Sequence, residues 1–155
     1  MKREIRTIGA EIRAEAPQQE GTGLRFSGYA AEFNVFSSEI SGFRERIASG
    51  AFAGSLEADD IRCLFNHNPE YVLGRNRAGT LRLAEDERGL RFEVDAPDAQ
   101  WARDLHTSVQ RGDISQCSFA FDVIRDQWRT VDGVEERTLL EVRLADVSIV
   151  TYPAY

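Results

Sequence analysis

Gly112-Asp113-Ile114-Ser115-Gln116-Cys117-Ser118-Phe119-Ala120-Phe121 is the stretch on which the reading of this chain turns. Gly-Asp is a turn signal, and the apolar run behind it, continued by Val123, has the composition of a strand. Side chains alternate along a strand, so Cys117, Phe119 and Phe121 share one face while Ser118 and Ala120 share the other. That second face is unusually small and leaves room for another chain to approach. A hydroxyl inside an apolar strand is costly unless it finds a hydrogen bond or has chemistry to perform. Ser118 is therefore either a tolerated small polar residue or a nucleophile.

Working outward, the only substantial helix lies just upstream. Trp101, Leu105 and Val109 recur at i, i+4 and i+8, Asp98 is placed to cap the start, and Gly112 is placed to close the end in a left-handed conformation. On this helix His106 sits about 100° round from the Leu105 line, which predicts a solvent-facing ring. Downstream, residues 113–125 form the strand bearing Ser118, and Val131-Asp132-Gly133-Val134 is a hairpin signal. Thr138 to Thr151 follows as the longest strand candidate, ending at Tyr152-Pro153.

The upstream half reads as short strands. Ile8, Ala10, Ile12 and Ala14 alternate with polar partners and predict an edge strand or hairpin arm, although Ile5, Ile8 and Ile12 also fit a helical stripe. Residues 17–23 are a loop by composition, and Leu24 to Phe36 is β-type. Ser37 to Gly42 is loop-like, Phe43 to Ile47 is amphipathic, and Ser49 to Leu56 reads as a short helix. Ile61-Arg62-Cys63-Leu64-Phe65 is a compact strand that Asn66-His67-Asn68-Pro69 brings to a stop. Residues 79–83 and 89–94 alternate cleanly and predict a hairpin. About seven strands and one or two helices predict an α+β, mainly β fold: a closed or nearly closed antiparallel-rich barrel, with the main helix and a short one packed outside.

Bulk properties narrow the class. At 155 residues the chain predicts a single domain, 1–155, with a real core. A net charge of −7 argues against a nucleic-acid partner, which would need a basic face. No apolar run reaches the ~18 residues of a membrane span, and the charged N-terminus lacks the apolar centre of an export signal. Cys63 and Cys117 sit in apolar settings and read as reduced thiols of a cytoplasmic protein. With two cysteines, two histidines and no Gly-rich phosphate loop, neither a metal nor a cofactor is expected.

Three side chains carry the chemistry. His67 stands at the mouth of a buried strand, either as a general base or as a loop histidine bonded to a nearby carbonyl. Asp146, inside Leu144-Ala145-Asp146-Val147-Ser148-Ile149-Val150, must be paired. Its partner is either an arginine, Arg143 or Arg129, or His67, whose tautomer it would then fix. Glu141 is the reserve for Asp146. Ser115 and Ser148 are weaker nucleophile candidates, and Cys117 is a thiol rival on the wrong face.

In their order along the chain, several blocks resemble the prohead (capsid maturation) protease family of tailed phages, itself related in fold to the herpesvirus assembly proteases. They include Gly28-Tyr29-Ala30-Ala31-Glu32-Phe33-Asn34, Phe65-Asn66-His67-Asn68, Val72-Leu73-Gly74-Arg75 and Gly89-Leu90-Arg91-Phe92. Further along are the Arg111–Phe121 block and Asp146-Val147-Ser148-Ile149-Val150-Thr151-Tyr152-Pro153-Ala154. Ala120 stands where glycine is usual. The resemblance implies a herpesvirus-protease-like fold and a serine endopeptidase with Ser118 as nucleophile and His67 as base. Asp146 is the assignment for the third member. It also implies capsid and scaffold proteins as substrates, with the chain itself as a further one, and action in the bacterial cytoplasm inside an immature procapsid. By analogy with the herpesvirus enzymes it implies a homo-oligomer. Two rivals are a non-catalytic capsid-assembly or scaffold-binding barrel and a small-ligand-binding β-barrel.

Overall fold

The computed structural model describes residues 2–7, 11–15 and 23–153, and it is mainly β. Its axis is a long hairpin, β9 (Gln116–Val131) and β10 (Val134–Val150), antiparallel over nearly their whole length. Asp132 and Gly133, at φ 51° and 79°, close it in the left-handed turn geometry that the Asp-Gly pair predicts. In chain order the other strands are β1 (Glu4–Arg6), β2 (Glu11–Glu15), β3 (Arg25–Glu32), β4 (Phe43–Ile47), β5 (Arg62–Phe65), β6 (Asn68–Arg75), β7 (Leu81–Glu85) and β8 (Gly89–Asp95). Two α-helices, α1 (Ala53–Ala58) and α2 (Gln100–Arg111), complete the described elements with one short 3-10 turn at Asn76–Ala78.

The expected closed barrel is not formed. The described strands make two sheets, β1-β9-β10-β5-β6 with β4 also on β10, and β2-β3-β8-β7, which curl into a half-barrel. Phe119, Phe121, Val147 and Ile149 of the first sheet meet Phe26, Leu90, Phe92 and Val94 of the second in one apolar core, all fully buried. The strands number ten among the described residues rather than about seven. Residues 8, 10 and 17–22, on which part of the expected N-terminal strand and loop fell, lie outside the described residues.

How β10 spends its free edge determines where His67 stands. Opposite β9 it runs parallel to β4 through residues 135–139 and parallel to β5 through residues 146–149. Between these strands the Val142 N–H donates to the Ala51 carbonyl at 3.0 Å and the Leu144 N–H to Ser55 Oγ of α1 at 2.8 Å. Every backbone donor on a buried edge needs a partner, and the short helix supplies those that no strand can reach. The chain thus leaves β4, covers the gap with α1 and returns as β5.

Three local expectations are corrected. Pro69 does not stop a strand: it is the second residue of β6, which lies at the sheet edge, where a missing N–H is tolerated. Asp98 does not cap α2, whose N-cap is Ala99; its carboxylate pairs with Arg103 instead. His106 is not solvent-facing. It is 4% exposed, its Nε2 lies 2.9 Å from the Glu15 carbonyl, and its ring packs edge-on against Phe26 at 5.3 Å. Because α2 lies on β2, its buried stripe of Ala102, Leu105 and Val109 widens by one position. Gly112 ends the helix at φ 85°, as expected.

Candidate active site

His67 stands on a two-residue turn between β5 and β6, with Phe65 paired to Asn68 across it. Asn66 and His67 both have positive φ, 55° and 54°. Asparagine tolerates this conformation; for histidine it is less usual, and the surroundings must hold it. The turn is tied to the end of β10. Asn66 N–H donates to the Ile149 carbonyl at 2.9 Å, Thr151 N–H donates to Asn66 Oδ1 at 2.9 Å, and Asn66 Nδ2 donates to Thr151 Oγ1 at 3.2 Å.

The parallel register of β5 on β10 sets Asp146 opposite Arg62 and Ser148 opposite Leu64, and the turn folds His67 over both. His67 Nδ1 lies 2.6 Å from Asp146 Oδ1. An ionised carboxylate only accepts, so Nδ1 carries the hydrogen and Nε2 keeps its lone pair. That Nε2 is buried and has no hydrogen-bond partner among the described residues. Of the partners weighed for Asp146, the histidine is the one in contact: Arg143 approaches Asp59 at 4.0 Å and Arg129 approaches Glu136 at 4.0 Å. The side chains of His67 and Asp146 are 17% and 13% exposed, at the floor of a shallow cleft lined by Asn66, Val150, Thr151 and Tyr152.

Ser118 lies one strand further across. It pairs directly with Ser148 on β10, so the two hydroxyls point from the same face of the sheet. Ser118 is fully buried and Ala120 nearly so. The chain that occupies their small-residue face is the protein's own: β1 pairs antiparallel with β9, Arg6 opposite Phe119 and Ile5 opposite Ala120. Ser118 Oγ donates to the Arg6 carbonyl at 3.1 Å, and a Ser118–His67 hydrogen bond is not made.

The strand β1 is held by charge. Arg6 Nε donates to the fully buried Glu45 at 2.9 Å, and Arg137 reaches Glu4 at 2.9 Å, Glu45 at 3.1 Å and Asp126 at 2.9 Å. Burial raises the Glu45 carboxyl above the ordinary range, against the pull of Arg6 and Arg137. This cluster gave no sequence signal beyond the charges themselves.

The remaining candidates fall away on geometry. Cys63 and Cys117 are both buried free thiols, and burial pushes Cys117 up to about 12 and Cys63 well above its ordinary value, so neither is a thiolate at neutral pH. Among the described residues no cluster of His, Cys, Asp and Glu could hold a metal ion. No described helix is long and apolar enough to cross a membrane.

Comparison with known proteins bears on the same residues. The family model described as Caudovirus prohead serine protease matches residues 10–155. Among solved structures, the capsid assembly protease gp21 of bacteriophage T4 superposes with a TM-score of 0.61 at 13% identity, over 98% of each chain. At that identity the likeness concerns the fold. No curated protein matches the chain.

Proposed function

The chain belongs to the caudovirus prohead serine protease family, and from that premise we propose that Ser118, His67 and Asp146 are its nucleophile, general base and orienting carboxylate. The observation that carries the assignment is the state of the His67 ring. Nδ1 is committed to Asp146, while Nε2 is buried, unprotonated and without a partner. An unpaired buried acceptor costs about 1–3 kcal/mol, which a structural histidine has no reason to bear. A base waiting for a proton does.

The mechanism follows from where protons can go. Ser118 releases the Arg6 carbonyl, its hydroxyl turns toward Nε2, and its oxygen attacks a scissile carbonyl carbon as the proton passes to His67. Asp146 stabilises the imidazolium through Nδ1–H and stays ionised. The proton then leaves on the departing amine, and water repeats the cycle to hydrolyse the acyl-enzyme.

Capsid and scaffold protein segments are the proposed substrates, with the chain itself a further one, within an immature procapsid in the bacterial cytoplasm. Confinement there supplies a high effective concentration, so weak intrinsic affinity suffices. Self-association of the chain belongs to the same reading. A non-catalytic assembly role draws on one observation, the buried hydroxyl of Ser118 bonded to Arg6.

Co-expression with the capsid and scaffold proteins of the same phage separates the two. Cleavage with the wild type and none with Ser118→Ala is expected. Identical uncleaved patterns from both would favour the assembly role.

A further inference from the structure

Between the two strands that carry the proposed triad lies a hydroxyl that the mechanism does not use. Ser148 is fully buried, pairs directly with Ser118 across β9 and β10, and touches both His67 and Asp146. Its Oγ accepts the main-chain N–H of His67 at 3.1 Å and donates to Asp146 Oδ1 at 3.0 Å. Taking His67 and Asp146 as base and orienting carboxylate, on which this inference rests, we propose that Ser148 is the positioning residue of the site: it locks the His67 backbone and the Asp146 carboxylate to one another.

Proton accounting supports the role and excludes a nucleophilic one. A serine hydroxyl has one hydrogen, and that of Ser148 lies on Asp146 rather than on an imidazole nitrogen. Oδ1 then receives two donors, the imidazole Nδ1–H at 2.6 Å and the Ser148 hydroxyl at 3.0 Å. Hydrogen bonds to the charged form favour it, so this pair of donors keeps Asp146 ionised and fixes the direction of its lone pairs.

The second half of the argument concerns backbone strain. Asn66 and His67 both occupy the left-handed region, a conformation that costs of order 1–3 kcal/mol for a non-glycine residue outside a favourable turn. Asn66 is tied down by Ile149 and Thr151. For His67 the ties are its N–H to Ser148 and its ring to Asp146. Removing the Ser148 oxygen leaves the His67 N–H without its acceptor and frees Asp146 to rotate, and both displacements move Nε2. A misplacement of about 1 Å in a reacting group costs about 10²-fold in rate.

The chain has two histidines, so ¹⁵N-histidine labelling gives two sets of ring resonances, and His67→Gln identifies which belongs to His67. The wild type is expected to show His67 in one tautomer, protonated at Nδ1. Ser148→Ala is expected to average the two tautomers and to lower kcat about 10²-fold, with KM changed less than about twofold. Ser148→Thr, which returns the hydroxyl, should recover the single tautomer. A merely structural role would lower the melting temperature and the fraction of folded enzyme without touching the tautomer of the folded fraction. A folded Ser148→Ala with the wild-type tautomer and kcat would overturn the proposal. Cleavage that survives Ser118→Ala would sink the underlying triad instead, and the tautomer measurement, which needs no turnover, would still judge Ser148 alone.

Discussion

The Ser118 hydroxyl donates to the Arg6 carbonyl at 3.1 Å, from the middle of the molecule to a three-residue strand near the N-terminus. The proposed nucleophile is therefore covered by its own chain, and its proton is engaged away from His67. Attack on a substrate requires that bond to break. Loosening β1 should make Ser118 more reactive. Ile5→Pro removes an N–H and constrains φ in the centre of β1. Labelling of Ser118 by a fluorophosphonate is expected to quicken about tenfold, the ratio that corresponds to about 1.4 kcal/mol in the balance between covered and open forms. A labelling rate equal to that of the wild type would show that β1 does not limit access.

The ion cluster under β1 should be sensitive to both substitution and pH. Arg137→Ala leaves the fully buried Glu45 with Arg6 as its remaining cation and strips a partner from Glu4 and Asp126. Breaking one arm of a buried pair costs about 3–5 kcal/mol. Because burial raises the Glu45 carboxyl, its ionised form is the one folding disfavours, so the deficit of the variant should shrink as pH falls and Glu45 takes up a proton. Urea midpoints for wild type and variant between pH 7 and pH 4 check this; a deficit independent of pH would contradict it.

Acid stability has the opposite sign and different residues. Asp60 is held down to about 2 by Arg75, and Asp86, Asp95 and Asp122 are held below the ordinary carboxylate range by Tyr29, Arg82 and Arg3 respectively. A carboxylate whose folded pKa is depressed contributes stability above its unfolded value, about 4, and loses it as pH falls through the folded one. The urea midpoint is expected to drop between about pH 4 and pH 2. These pairs are largely exposed, so 0.5 M salt should flatten the drop, at an ionic strength where screening reaches only a few ångströms. A midpoint that is flat across this window would contradict the assignment.

The two thiols offer a clean negative control. Cys63 and Cys117 are buried, with their pKa values pushed up by burial. Iodoacetamide at pH 8 is expected to leave both unmodified in the native protein and to alkylate both in urea. Rapid native alkylation of Cys117 with loss of activity would revive it as the nucleophile.

Much of this arrangement was legible in the sequence because it is written locally. Period-two alternation placed Phe119 and Phe121 in the core, Gly112 closed α2, and Asp132-Gly133 turned the main hairpin. The expectation that a carboxylate deep in an apolar strand needs a partner led to Asp146, and His67 is in contact with it. What was not legible is non-local. Alternation does not encode that β10 runs parallel to both β4 and β5, yet that register is what brings the His67 turn over Asp146. Pro69 and its polar neighbours concealed β6, whose edge position makes them acceptable. Three residues are too few for any periodic signal, so β1 and its grip on Ser118 could not be foreseen. Ser148 was visible only as a serine; its place between His67 and Asp146 needed the fold.

The central claim, that Ser118 is a nucleophile served by His67 and Asp146, is tested most directly by fluorophosphonate labelling followed by peptide mass spectrometry. The wild type should carry one adduct, on Ser118, with the rate reduced by about 10⁴-fold in Asp146→Asn, the scale seen when a triad loses its orienting carboxylate. His67→Ala should not label measurably. An adduct on Ser148 or Ser115, or undiminished labelling of Ser118 in His67→Ala, would contradict the account.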